Sequence, residues 1–453
     1  MISPTTIAAI RFGYGLGPNV GATDAMSLRA GLASGNSVAG QYPVTSSTQI
    51  LRKLQVMRKA QKAVRAEKPN AEAAEKAARK DLQNSAALGL SQGTARILDA
   101  RSAFFERLSW FWADHFTAVG KQLPARAMAP AYLDEAIRPH VTARFGDMLK
   151  AVVSHPLMLI YLDQVASVGP NSPIGKRRNR GLNENLAREL LELHSLGVDG
   201  DYGQGDVRQL AELLTGLSFE PDRGFIFNTR IAEPGAKTVL GKTYGGGPPT
   251  LSDIYQMLDD LAVHPDTARH IAGKLARHFV SDTPDGDMVE QMTRAYLATG
   301  GELMAVYSAM LEHPAAWAPL GGKAKQPFDF IVSGLVALGV TGGELLGIRP
   351  NDLRRLLPRP LRAMGQPFMQ ANGPDGWPEA AQAWITPQGL ATRIAWSVEV
   401  SRSFAARVQD PAAFLNRTLA DAAGEKLIWA VAHADTTKNG VALVFASAEF
   451  NRR

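Results

Sequence analysis

Apolar positions recur every three to four residues along most of this chain, the spacing that gives an α-helix one buried face. The pattern predicts helices over about 251–263, 265–279, 285–298, 301–312, 323–339 and 350–356, then over 388–408, 410–422 and 425–434. "GVALVFASAEFNRR" predicts a last helix that docks the C-terminus. Upstream, "RSAFFERLSWFWADHF" predicts an aromatic helix within 95–118, and another helix follows over about 128–150. One segment breaks the rhythm. Phe225 and Phe227 alternate within a stretch punctuated by Gly and Pro, so 218–245 reads as a short β-hairpin or loop insert. The expected architecture is all-α, one continuous domain in two lobes, 1–245 and 246–453. A basic helical hairpin over 48–83, broken near Pro69, projects from the first lobe.

Charge sharpens the picture only at that hairpin. Between Leu51 and Lys80, ten Lys/Arg stand against three Glu, a surplus of seven in a chain whose net charge is +6. The basic balance therefore describes one element, not the whole surface. Few aromatics are interleaved there, so a solvated face is favoured over a nucleic-acid-binding arm. Cysteine is absent, which excludes thiolate catalysis, disulfides and Cys-ligated metal. No stretch reaches the roughly 18 uninterrupted apolar residues of a membrane span. The start, "MISPTTIAAIRFGYGLG", shows no secretory signal, and a cytoplasmic location is expected on that ground.

Candidate chemistry concentrates in "NENLARELLELHSLGVDGDYGQGDV", residues 183–207. At about 100° per residue, Asn185, Arg188, Glu189 and Glu192 share one face of a helix, with Leu186, Leu190, Leu193 and His194 opposite. That polar stripe is either a solvent face, with Arg188 and Glu192 paired, or a binding and acid–base set facing a pocket. Asn183 suits an N-cap and Gly197 a C-terminal stop. His194, like His115 in the aromatic helix, lies on an apolar side. A buried histidine of this kind is usually a hydrogen-bonded core residue, and the His-x₃-His and His-Glu-x-x-His metal spacings are absent. The Asp199–Asp206 loop lacks the acidic twelfth ligand of a calcium loop and reads as a turn. "GYGLG" has the wrong spacing for a nucleotide fingerprint, and no cofactor is indicated. Arg11 beside it is a candidate contact for an acidic ligand. Trp377, on a Gly/Pro loop, is a candidate to stack on a ligand or partner, or to plug a helix junction. Three His-Pro pairs, at His155, His264 and His313, read as helix punctuation.

The segments "AAIRFGYGLG", "WFWADHF", "NENLARELLELHSLGVDGDY", "DVRQLAELLTG", "PGAKTVLGKTYG", "IAGKLARHFVSDTP", "KQPFDFIVSGLVALG", "MGQPF" and "NGPDGWPEAAQAW" follow one another in order. Together they resemble the bacterial domain-of-unknown-function family 1800 over nearly the whole chain. The resemblance implies a largely helical protein of unestablished biochemistry. Relatives are often encoded beside members of domain-of-unknown-function family 1501, which resemble sulfatases and alkaline phosphatases, and many are exported. It therefore implies an accessory or scaffold role with such a partner, and periplasmic or secreted location by co-export. The alternative is an enzyme, hydrolytic in type, with a pocket built on His115 and the Asn183–His194 helix. The chain departs from the family's pattern at Leu186, Gly203, Leu217 and Ala232, where the family tends to show an aromatic, Thr, Trp and His.

Overall fold

The computed structural model describes residues 2–21, 23–120, 122–178 and 181–453. It is 62% helical. Helices of eight or more residues are α1 (Ala25–Leu32), α2 (Ser47–Arg65), α3 (Ala71–Leu98), α4 (Ala103–His115), α5 (Leu123–Tyr132) and α6 (Phe145–Val153). They continue with α7 (Asn185–Glu192), α8 (Gln204–Leu213), α9 (Leu251–Ala262), α10 (Pro265–Phe279), α11 (Gly286–Ala298) and α12 (Leu303–Glu312). The last are α13 (Pro327–Ala337), α14 (Pro387–Ser403), α15 (Pro411–Leu419), α16 (Glu425–Ala432) and α17 (Thr437–Ala446). No helix among the described residues is long and apolar enough to cross a membrane.

Local chemistry sets most of the helix starts. Thr250 and Asp253 form a reciprocal capping box ahead of α9. The His-Pro pairs act as starts too. Each histidine holds extended backbone, and its Nδ1 accepts the N–H two residues on, from Leu157, Asp266 and Ala315. The proline then occupies the first turn, where a missing N–H costs nothing.

The basic hairpin is more deeply rooted than its composition suggests. α2 buries Ile50, Leu51 and Leu54, and α3 continues to Leu98, burying its second half against α5. Only the tip, around the left-handed Glu67 and Asn70, stands clear. The helix expected over 128–150 is interrupted. α5 loosens at Leu133–Ile137, and a tight turn over Arg138–His140 contains Pro139, which cannot donate in a ladder. Arg138 sits in that irregular stretch because its guanidinium is needed inside. It donates twice to Glu106 of α4 at 2.7 Å, a fully buried bidentate pair, and its Nε reaches Asn36. The insert holds two hairpins, not one. β1 (Leu217–Glu220) pairs antiparallel with β2 (Gly224–Phe227), Leu217 opposite Phe227, and β3 (Lys237–Val239) pairs with β4 (Lys242–Tyr244).

The apolar interior forms two clusters that divide near residue 320. The first gathers the buried faces of α1, α2 and α4 to α12 with Leu82 of α3, from Ala8 to Ala316. The second gathers Tyr14, Tyr42, the end of α3 (Leu90, Ala95 and Ile97), the apolar side of α13 and helices α14 to α17. Trp110 of α4 packs against both. The seam between the clusters runs beside α4, and the principal cleft opens there.

Candidate active site

The cleft measures about 750 Å³, its open mouth included. Small-molecule sites favour such seams between packed clusters. α4 supplies Arg107, Trp110 and Asp114 at three- and four-residue spacing, so they share one face. α10 supplies His278, and the start of α13 supplies Gln326, Phe328 and Asp329. Gln366, Phe368 and Trp377 close the far wall, and Tyr14 reaches in from the N-terminal segment.

Asp114 is the central group. It stands one residue before the end of α4, partly open to the cleft and otherwise surrounded by protein. Its Oδ1 accepts the Trp377 backbone N–H at 2.9 Å. Burial pushes the carboxyl up to about 8, reinforced by the Glu379 and Asp375 charges and opposed by that N–H and by Lys274. Proteins place such tuned acids where a proton must be handled near neutrality. Gly376, next to Trp377, has φ +84°, and a Cβ there would lie 2.8 Å from the Asp114 carbonyl oxygen and 2.9 Å from Oδ1. Only glycine lets the loop close over this acid.

A chain of charges pins the same loop. Asp329 accepts from Arg107 at 2.5 Å, and Arg107 Nη2 lies 3.5 Å from His278 Nε2. His278 Nδ1 lies 2.5 Å from Glu379 Oε1. Lys323 bridges Glu379 at 3.2 Å and Asp282 at 2.6 Å, and Asp282 accepts the Ala381 N–H. Burial alone would raise the Glu379 carboxyl. His278 and Lys323 outweigh it and hold that group down at about 2. The loop over the cleft is thus fastened by its backbone at Asp114 and by a buried carboxylate at Glu379.

The residues singled out from the sequence fall into three places. Trp377 lines the cleft, half-buried, its ring edge-on to Trp384 at 6.0 Å. Arg11 is buried elsewhere, and its two Nη groups donate to the carbonyls of Ala316, Ala318 and Pro319, so it finishes a turn. His115 and His194 lie behind the cleft in the core. His115 Nε2 donates to the His194 carbonyl at 3.2 Å, and His270 Nε2 donates to the Leu193 carbonyl at 3.1 Å. Two imidazoles therefore cap the end of α7, whose last carbonyls lack helical partners. Burial, then the nearby Lys274, depresses His194 to about 3 and His270 to about 4, so both stay neutral. Both ring nitrogens of His194 lack a hydrogen-bond partner among the described residues. Gly197 has φ +91°, and a Cβ there would approach His270 Nδ1 at 2.9 Å. No group of three His, Asp or Glu among the described residues is placed to hold a metal.

Asn185, Arg188, Glu189 and Glu192 do not line the cleft. Asn185 is exposed, and Arg188 donates to Gln204 at 2.9 Å and pairs with Glu184 at 3.5 Å, not with Glu192. An exposed pair of this kind contributes about 0–1 kcal/mol. Glu189 is half-buried, and its carboxyl is raised by burial, by Glu192 and more weakly by Asp375. Glu189 is thus near enough to the Gly376–Trp377 loop to sense the Asp375 charge.

The groups that sequence reasoning passed over are Tyr14, Arg107, Asp114, Lys274, His278, Gln326, Asp329 and Glu379. Their signal was the resemblance itself. Six of the nine segments that carry it contribute a cleft wall: Tyr14, Asp114, His278, Asp329, Gln366 and Trp377 each come from a different one. A family model described as "Protein of unknown function (DUF1800)" matches residues 7–452. No curated protein and no solved structure matches.

Proposed function

The chain belongs to the family of proteins of unknown function DUF1800, and we propose that it is an acid–base enzyme acting on a small organic molecule held in this cleft. The observation that carries the reading is the Asp114 carboxyl, open to the cleft yet raised to about 8. Such a group holds a proton at neutral pH and sits where a bound molecule receives it. General acid catalysis by a positioned carboxyl contributes about 10²–10⁴-fold. Arg107 and His278 line the same cleft, each held in place by a carboxylate. The alternative raised from the sequence, a hydrolytic enzyme, fits this arrangement, with Asp114 in place of the α7 stripe as the acid. A panel of aryl glycosides and aryl carboxylate, phosphate and sulfate esters tests it. At least one is expected to turn over, with kcat falling about 100-fold or more in Asp114→Asn. Equal turnover by both proteins, or none by the wild type across the panel, would remove the proposal.

A second reading, an accessory partner of a phosphatase- or sulfatase-like protein, draws on the hairpin tip. Arg58, Lys59, Lys62, Arg65, Lys68, Lys76, Arg79 and Lys80 are exposed and make no ion pair among the described residues. An acidic partner surface would suit them. Exchanging Lys59, Lys62, Arg65 and Lys68 for Ser removes the charge without touching buried Leu51, Leu54 or Ala60. On this reading, pull-down of the neighbouring-gene product weakens about tenfold or more at low salt. Undiminished capture would count against it.

A further inference from the structure

We infer that the cleft takes an uncharged, hydroxyl-bearing ring, a saccharide unit, and not a phosphate, nucleotide or carboxylate. The inference rests on the reading of the cleft as a small-molecule site. Charge is the first argument. The one guanidinium on the wall among the described residues, Arg107, is already neutralised by Asp329 at 2.5 Å. His278 is held by Glu379, and Lys323 is consumed by Asp282 and Glu379. Among the described residues that line the cleft no cation is unpaired, and an anionic ligand would meet the Asp329 carboxylate; Lys274 does not line the cleft and already answers the Asp114, Glu379 and Asp375 carboxyls. Burying an unpaired charge is costly, so an anion is disfavoured.

Shape is the second argument. Trp110 packs on Phe328 with centroids 4.6 Å apart and on Phe368 at 5.4 Å, and Trp377 stands on the same cleft. These rings offer flat apolar faces of the kind that match the C–H face of a sugar. Polar placement is the third. Tyr14 is 2% exposed and Gln326 8%. Neither the Tyr14 hydroxyl nor the Gln326 Nε2 has a hydrogen-bond partner among the described residues. Gln366 fixes the carboxamide, since its Nε2 donates to Gln326 Oε1 at 2.7 Å while its own Oε1 accepts the Phe328 N–H. Buried polar groups are normally paired, and two unpaired ones on residues that line the cleft mark where a ligand pairs them. Donors here and the Asp329 acceptor, one turn along the same helix as Gln326, suit hydroxyl groups, which donate and accept at once.

Titration calorimetry on the full chain tests this with cellobiose, maltose and the disaccharide of N-acetylglucosamine, against inorganic phosphate, AMP and benzoate, with phenol as an uncharged ring lacking a polyol edge. At least one disaccharide is expected to bind at about 1 mM or tighter. Its affinity should fall about tenfold or more in Trp377→Ala and in Tyr14→Phe. Tyr14→Phe removes an unpaired buried hydroxyl, so it should melt no lower than the wild type. A purely structural role for Tyr14 would not separate binding from stability in this way. If an anion or phenol binds with the same sensitivity to both variants and no saccharide does, the saccharide inference is wrong while the small-molecule reading stands. If no probe responds to either variant, both are wrong.

Discussion

Replacing Asp329 by alanine is expected to cost about 3–5 kcal/mol of stability, the range for stripping one partner from a buried ion pair. The effect is large because one carboxylate serves several cations. Arg107 approaches it at 2.5 Å and Arg453 at 3.2 Å, both guanidiniums nearly inaccessible to water. Lys325 and Arg393 lie close enough for Asp329 to hold their charge against burial. Burial drives Lys325 down to about 7 and Arg393 to about 10, and Asp329 opposes both shifts. Without it, the Arg107, Arg453 and Arg393 guanidiniums lose a shared counter-charge, and Lys325, already down at about 7, falls further and sheds its proton. Asp329→Asn keeps acceptor capacity but not charge, so it should fall between wild type and alanine. Denaturant unfolding followed by circular dichroism measures the series. A loss below about 1 kcal/mol for the alanine variant would mean that the cations relax to water and that the wall is not the dry, neutralised surface described.

The second large effect concerns Asp114 and depends on pH. Its folded carboxyl titrates near 8, against 3.8 for the unfolded chain. A raised folded value means that the native state binds the proton more tightly than the unfolded state. The associated stability is fully present below pH 3.8 and is lost as pH rises through about 8. Within that window the slope approaches at most about 1.4 kcal/mol per pH unit. Asp114→Asn has no such proton to lose, and its side-chain oxygen still accepts the Trp377 N–H. The variant should therefore resemble the wild type at pH 4 and become progressively more stable than it toward pH 8, with the gap level beyond. The same exchange that abolishes proton delivery thus strengthens the fold. Parallel stability curves for the two proteins would show that Asp114 carries no raised proton affinity.

Helices with strong local starts were legible from the sequence almost residue by residue. α9 and α10 begin at Leu251 and Pro265 because Thr250 and His264 cap them, and both signals are local. The helix expected over 128–150 was not, because its apolar pattern runs on through Arg138 and Pro139. The turn there exists to bring Arg138 to Glu106, a contact between elements that periodicity does not encode. The hairpin's length was also hidden. The buried end of α3 is rich in Gly, Ser and Thr, which weigh against a helix locally, yet these small residues let it lie against α5.

For the site, periodicity correctly placed His115 and His194 inside and separated them from the α7 stripe. It could not show that Asp114, adjacent to His115, would be roofed by a loop more than 260 residues later. A carboxyl becomes an acid for pH 7 through what covers it, and the cover came from Gly376 and Trp377. The stripe drew attention because its charges are dense along the chain. The cleft's charges are dispersed along the chain and dense only in space.

The most direct measurement is the titration of the Asp114 carboxyl itself. Carbon-13 NMR of protein labelled in the aspartate side chains, with Asp114→Asn to assign the signal, follows that group through pH. A midpoint near 8 is the result predicted, and it leaves the carboxyl protonated in the cleft at neutral pH. A midpoint near the ordinary 3.8 would contradict the account, because the cleft would then hold an ionised carboxylate with no proton to give.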